Sequence, residues 1–503
     1  MKHKQGRRLL AVLIALVLAL GSGGVIVLAG EWEESANFSG WDEEGVFSLE
    51  EALPEQAEDF PLAPEDFSQE LVEAAQEEES TLFDLVENEA SFPAEEGEFF
   101  AAEEELFTDA DSALVGETLL TPYVDEKGEA KDPVSCTLMD AGWNVIGNGW
   151  YAVKGEVRIS SGMTVWGNTN LILTDGCTLY ADDGIWVQEN ASLSIWAQST
   201  GKEMGRLEAK ASSEYKAGIG GIYDEAPGAI YIYGGKITAT GGRHSAGIGA
   251  GSEGKRVNVT IAGGDVTANG TSGGPGIGAG SIEINGADIT GTVKITGGTV
   301  VAKGSTSDAL RNTSASTSAG IGAGFACNCN MTIEIEGGNV TARAWGEAAA
   351  IGGGAEDWSG QGGEGATVRI TGGKVLALSD HTAIGHGTSD EVMGTLFIGP
   401  DMKVQAGNNG ENYERTFTTV ERAAACQYRH CALIEKCDHG ETFYKKEEAG
   451  HTLNCKWCEY NSGLLPHVID PVGACSECGY SPEGSGIHYL LSDEVTEETA
   501  TGW

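Results

Sequence analysis

A two-part unit that recurs along the middle of the chain constrains the fold more than any other feature. Its first part is a Gly-Ile-Gly-like step: Gly218-Ile219-Gly220, Gly247-Ile248-Gly249, Gly276-Ile277-Gly278, Gly320-Ile321-Gly322, Ala350-Ile351-Gly352 and Ala383-Ile384-Gly385. The central isoleucines lie 29, 29, 44, 30 and 33 residues apart. The second part is an apolar-x-apolar pair, a Gly-Gly turn, then Val/Ile-x-Ala. It reads Ile230, Ile232, Gly234-Gly235, Ile237, and recurs at Val259/Ile261/Val266, Val293/Ile295/Val300, Ile333/Ile335/Val340 and Val368/Ile370/Val375. A degenerate sixth copy at Leu396, Ile398, Gly399-Pro400 and Val404 predicts the terminal coil.

Period-2 alternation makes each piece a short strand with one buried face, and the paired glycines let the chain corner without a Cβ in the way. A unit of about 29 residues with two or three such strands cannot cover its own apolar face. Stacking at the roughly 4.8 Å strand spacing does so, which predicts an all-β chain built as a right-handed parallel β-helix. Propeller blades need about 40 residues and four antiparallel strands, and leucine-rich repeats need a Leu/Asn frame absent here. The spread in spacing predicts inserted loops on one side of the stack.

Upstream, the same alternation runs through Val157/Ile159, Met163/Val165, Leu171/Leu173, Cys177/Leu179, Ile185/Val187 and Leu193/Ile195, the first coils of the stack. The stretch VRISSGMTVWGNTNLILTDGCTLYADDGIWVQENASLSIWAQSTGKEMGRLEAKA, the AGIG steps and the I-x-GG-x-V-x-A strands resemble the secreted right-handed β-helix proteins of gut Gram-positive anaerobes. Those proteins are described as carbohydrate-binding domain-containing or as surface proteins. The resemblance runs from about Trp143 to Tyr480 and implies a secreted or cell-surface β-helix that binds glycans.

Charge narrows the partners. Lys and Arg number 30 against 76 Asp and Glu, a net charge of −46, which argues against nucleic acid or anionic lipid as a partner. The 74 Gly come with only 12 Pro and no G-X-Y period, so collagen-like structure is excluded. Residues 1–30 combine Lys2, Lys4, Arg7 and Arg8 with the apolar run Leu9 to Leu20. That order predicts a signal peptide cleaved after Ala29, or an uncleaved membrane anchor, the membrane being engaged through this segment alone. Between Glu31 and Glu129 there are 33 acidic residues and one basic residue, Lys127. Such self-repulsion predicts a disordered acidic spacer over 31–135. Its acidic clusters lack EF-hand spacing, so no motif supports calcium as a cofactor.

Catalysis would need paired carboxylates, or a basic group beside an acidic cluster, projecting from adjacent coils. The outward positions after the Gly-Gly turns are Lys236, Asp265, Thr299, Asn339 and Lys374, a mixed column with one carboxylate. Asp182-Asp183, Glu356-Asp357, Asp380 with His381, His244 and His386 all fall in turns or beside Gly-Ile-Gly steps, and no catalytic residue is assigned. Binding has better material, because exposed aromatic faces stack on sugar rings. Trp186, Trp196, Tyr231, Tyr233, Trp345 and Trp358 are the candidates, with Trp186 expected to point outward between Ile185 and Val187. Trp143 and Trp150 read as a hydrophobic cap on the first coil.

The C-terminal part carries Cys437-x-His439, His451-x3-Cys455-x2-Cys458 and His467-x7-Cys475-x2-Cys478. Two C-x2-C knuckles with sixteen residues between them match zinc-ribbon spacing, and eight ligands suffice for two four-ligand structural zinc sites of undetermined pairing. Disulfides are the alternative that an oxidising exterior favours. The pieces CDH, HTLNCKWC and CSECGY resemble the short Cys/His modules appended to surface proteins of the same anaerobes, which implies structural zinc.

The predicted organisation is therefore a signal or anchor over 1–30, a spacer over 31–135, a β-helix over 136–415, a connector over 416–436, a Cys/His module over 437–480 and an acidic tail over 481–503. The expected function is non-catalytic binding of an extracellular polysaccharide or a host or cell-surface glycan, in the manner of an adhesin. A polysaccharide lyase or glycoside hydrolase on the same fold is the alternative, and a structural stalk the third reading.

Overall fold

The computed structural model describes residues 117–281, 287–305, 317–357, 362–388, 393–408, 415–471 and 473–481. All of them lie within one compact unit, Asp109–Trp503. The signal segment, the acidic run as far as residue 116, Trp358 and the tail from residue 482 lie outside the described residues.

Three long sheets run the length of the stack, and every complete coil visits each in turn. The Gly-Ile-Gly steps are the strands of the third sheet, such as Ile248–Gly249 and Ile277–Ala279. The apolar-x-apolar pairs belong to the first sheet, as in Arg256–Ile261, and the Val-x-Ala pieces to the second, as in Asp265–Asn269. Neighbouring coils pair in parallel and in register: Ile230 with Val259, Val259 with Val293, Ile237 with Val266, and Ile248 with Ile277. The chain is a parallel β-helix. Its inward Ile, Val and Ala rows are almost wholly buried and form one continuous core from Met139 to Ile434. Each buried Ile or Val contributes roughly 1.5–3 kcal/mol, and no coil could keep that contribution without a neighbour on both sides.

Cys177, Cys327 and Cys329 point into this core with the aliphatic rows and are buried. Burial pushes the Cys177 thiol up to about 11 and the Cys329 thiol up to about 12, so both behave as small apolar side chains.

Both ends depart from the predicted boundaries. At the first end, strands Thr118–Val124 and Ala130–Leu138 form an antiparallel hairpin inside the stretch expected to be spacer. It pairs in parallel with Gly149–Val153 and lays Leu119, Tyr123 and Val134 over the outer face of the first sheet, where Cys136, Ala152 and Ile172 are buried beneath them. An edge strand left bare would invite pairing with other chains, and a hairpin whose two strands each carry a proline, Pro122 and Pro133, closes it.

At the other end, the sixth copy stacks only through its first half. Leu396 and Ile398 continue the first sheet in register with Val368 and Ile370. Val404 stays in the second sheet but does not pair with Lys374–Leu378, because Cys431–Lys436 inserts antiparallel between Lys374–Leu378 and Met402–Gly407. The stretch expected to be a connector is thus the cap of the β-helix, completed by the short helix Arg422–Gln427, with Cys426 buried in the core. Arg422 is itself buried; it donates to the carbonyls of Gly399 and Met402 and reaches Glu459 of the Cys/His module at 2.6 Å.

Candidate functional site

The eight Cys and His residues singled out in the C-terminal part are gathered into two groups of four, with donor atoms in each group within 4.8 Å of one another. Cys437, His439, Cys455 and Cys458 form the first; His451, His467, Cys475 and Cys478 form the second. The two C-x2-C knuckles therefore do not share an ion as in a zinc ribbon. Each anchors its own group. The cause is the hairpin Thr442–Glu447/Gly450–Cys455, which carries His451 of the second group and Cys455 of the first on one strand, interleaving the ligands.

Donor separations fit a tetrahedral ion. Ion distances of about 2.3 Å to sulfur and 2.0–2.1 Å to nitrogen imply edges of about 3.4–3.8 Å. Cys437 Sγ lies 3.6 Å from Cys455 Sγ and Cys458 Sγ lies 3.2 Å from His439 Nδ1. In the second group His451 Nδ1 is 3.4 Å from His467 Nδ1, and Cys475 and Cys478 Sγ are 3.8 and 3.5 Å from their histidine partners. The outer nitrogens are also held. His451 Nε2 meets Glu477 at 2.9 Å, and His467 Nε2 meets the Glu447 carbonyl at 2.8 Å, which leaves Nδ1 of both rings toward the group.

The knuckles are built alike. Tyr460 and Tyr480 each follow the second cysteine by two residues, accept the N–H of the first cysteine, and stack on His439 and His467 at 4.4 and 4.1 Å. Burial opposes ionisation of Cys455, but the Trp457 N–H, His439 and the neighbouring thiols bring it down to about 7. Burial also opposes ionisation of Cys475, and the N–H groups of Cys478 and Glu477 with His467 bring it to about 6. Cys458 is pushed up to about 12 by burial and its thiol neighbours. Each group offers one ready thiolate, and a cation would displace the remaining protons.

The aromatic candidates fall in separate places. Trp196, Tyr231 and Tyr233 sit on the outer face of the first sheet, with Trp196 stacked on Tyr233 at 3.9 Å and Tyr233 on Tyr231 at 6.3 Å. Tyr123 and Trp150 pack against Trp196 at 5.1 and 5.9 Å, and Trp196 Nε1 donates to Asn170. The terminal hairpin thus takes up one end of this row, so Trp196 serves packing. Trp143 is buried in the first coil. Trp345 lies under the Arg343 guanidinium at 5.1 Å, beyond the last residue of a second-sheet strand.

Trp186 projects outward from the third sheet and stands between two depressions. One, of about 380 Å³, is lined by Trp166, Gly167, Trp186, Gln188, Glu189, Asn190, Ala191 and Glu225. The other, of about 180 Å³, includes Thr164, Asp183, Lys216 and Ile222. Trp186 Nε1 is buried with no hydrogen-bond partner. Trp166, 49% exposed, is backed by Gly147, where a Cβ would fall 2.8 Å from its ring. Asp183 is fixed by Lys216 at 2.6 Å and by the N–H and O–H groups of Ser212 and Ser213. Burial alone would raise its pKa, yet these donors hold it well below the usual carboxylate range.

Trp166, Gln188 and Glu225 were not among the predicted site residues. The register between Met163–Val165 and Ile185–Val187 brings Trp166 beside Gln188 on the next coil, a relation that the 22-residue step from Met163 to Ile185 encodes. Glu225 comes from an inserted loop and carries no such signal.

A family model described as a beta helix repeat matches residues 230–252, 259–281, 293–325 and 333–355. No curated protein and no solved structure matches the chain.

Proposed function

We propose that this protein is exported and displayed at the cell surface, where its β-helix binds glycans without cleaving them. One observation carries the reading: two outward tryptophans on adjacent coils, Trp166 and Trp186, share a cleft with the amides Gln188 and Asn190 and the carboxylates Glu189 and Glu225. Aromatic faces stack on the apolar faces of sugar rings, while amides and carboxylates accept and donate at the hydroxyl rim. The outward second-sheet row, from Arg206 through Lys236, Asp265, Thr299 and Asn339 to Lys374, places no second carboxylate opposite Asp265. The two Cys/His groups are zinc centres of the structural kind, each closed by four protein ligands. They stiffen the cap end.

The test is a polysaccharide binding screen on the full chain, with reducing-end release followed in the same wells. Saturable binding that Trp166→Ala and Trp186→Ala each weaken by about tenfold or more supports the reading. Release of sugar would replace it with an enzyme, and binding indifferent to both substitutions would move the site elsewhere.

A further inference from the structure

We infer that the Trp166/Trp186 cleft selects amino-sugar chains carrying free ammonium groups and rejects polyuronates, a proposal that rests on the glycan-binding reading above. The argument is one of charge. Among the described lining residues there are two carboxylates, Glu189 and Glu225, and no Lys or Arg. Two basic groups close by are engaged: Arg256 holds Glu189 at 2.7 Å, and Lys216 holds Asp183 at 2.6 Å beside the neighbouring depression; Lys255, next to Arg256, is exposed but does not line the cleft. Glu225 is exposed at the cleft and has no ion-pair partner among the described residues.

A sugar stacked on the tryptophans therefore meets, among the described lining residues, one uncommitted negative charge and no positive one. A hexosamine ammonium at that rim gains a charge-assisted contact with Glu225. A uronate carboxylate meets like charge with nothing to offset it, and the chain's net charge of −46 adds long-range repulsion. Neutral sugars are accommodated less tightly.

The experiment uses the full chain and three probes of equal length: a glucosamine hexamer, its fully N-acetylated counterpart and a galacturonate hexamer, read by calorimetry and tryptophan fluorescence. The glucosamine hexamer should bind about three- to tenfold more tightly than the N-acetylated one, the gain expected of one part-exposed ion pair, and the galacturonate should not saturate. Glu225→Gln should narrow the first ratio to below about twofold. Equal affinity for the first two probes, or tighter binding of the galacturonate, overturns the charge selection while leaving glycan binding in place. No saturable binding of any probe overturns both. A preference that persists undiminished in Glu225→Gln would overturn the assignment of the charge selection to the cleft.

Discussion

The glycines of the third sheet allow a quantitative test of what holds the coils at their spacing. Gly220, Gly249, Gly278, Gly322, Gly352 and Gly385 stack in register with φ between 132° and 145°, outside the range L side chains tolerate. A Cβ on Gly278 would stand 1.8 Å from the carbonyl oxygen of Gly322 in the next coil. Gly278→Ala thus meets backbone strain of about 1–3 kcal/mol and an overpacking cost of about 1–3 kcal/mol, with about 1 kcal/mol more if one ladder hydrogen bond opens. The sum is about 3–7 kcal/mol. Gly176→Ala is the control: φ is 71° and nothing lies within 4 Å of its Cβ, so only the left-handed backbone cost of about 1–2 kcal/mol applies. Urea unfolding followed by far-UV circular dichroism, with native-state hydrogen exchange on the peptide spanning residues 277–279, compares the two. Gly278→Ala should shift the midpoint at least about one and a half times as far and should lose protection in its own and the adjacent coil. Equal shifts, or a loss confined to residue 278, would refute the claim that contact between successive glycine backbones sets the spacing.

Two further outcomes follow from the cap and the turns. Purified protein should carry two equivalents of zinc by elemental analysis, Cys458→Ala and Cys478→Ala should each retain one, and chelation should melt the Cys/His module; disulfides detected by mass spectrometry in place of metal would refute the assignment. Asp183 has a depressed pKa in the folded state, so its contribution is present above the ordinary carboxylate value of 3.8 and is lost as pH falls below it. The stability gap between the native chain and Asp183→Asn, read from urea midpoints at stepped pH, should narrow between about pH 4 and pH 2, and a gap independent of pH would show that the fold does not lower the Asp183 pKa.

The middle of the molecule was legible because a solenoid coil depends on its neighbours alone, so a local pattern repeated at 29 or 30 residues already specifies three sheets and their register. The ends were not, because a cap is specified by what it covers. The hairpin Thr118–Val124/Ala130–Leu138 contains Pro122, Pro133 and several acidic residues, and its alternation of Leu119 and Thr121 is hidden by that composition. Cys431–Lys436 reads as a short apolar run, and only the free edge of Lys374–Leu378 makes it a strand of the second sheet. The eight metal-ligand candidates were legible by residue type and spacing, whereas their pairing required the hairpin that crosses from one group to the other.

Coil length explains where the cleft lies. One outward row of the third sheet runs Val145, Thr164, Trp186, Gly220 and Gly249 in register. Along its first three members the steps are 19 and 22 residues, too short to send a loop back over the sheet, so the row carries side chains: Val145 is 45% exposed, and Trp186 borders both depressions. From Gly220 onward the steps are 29 residues or more, and the row carries glycine backbone packed on the next coil, as where Gly221 N–H bonds Gly249. Beside the row the inserted loop packs close: a Cβ on Gly221 would meet the Glu225 carbonyl at 2.8 Å. Glu225 belongs to the loop that follows Gly220 and Trp186 to the last uncovered coil, with Trp166 on the coil before it, so the cleft is the step between them. A ligand lying along the row would rest on tryptophan and abut the loop end, which places the discriminating carboxylate at the closed side of the cleft and leaves the uncovered coils as the direction from which a chain enters.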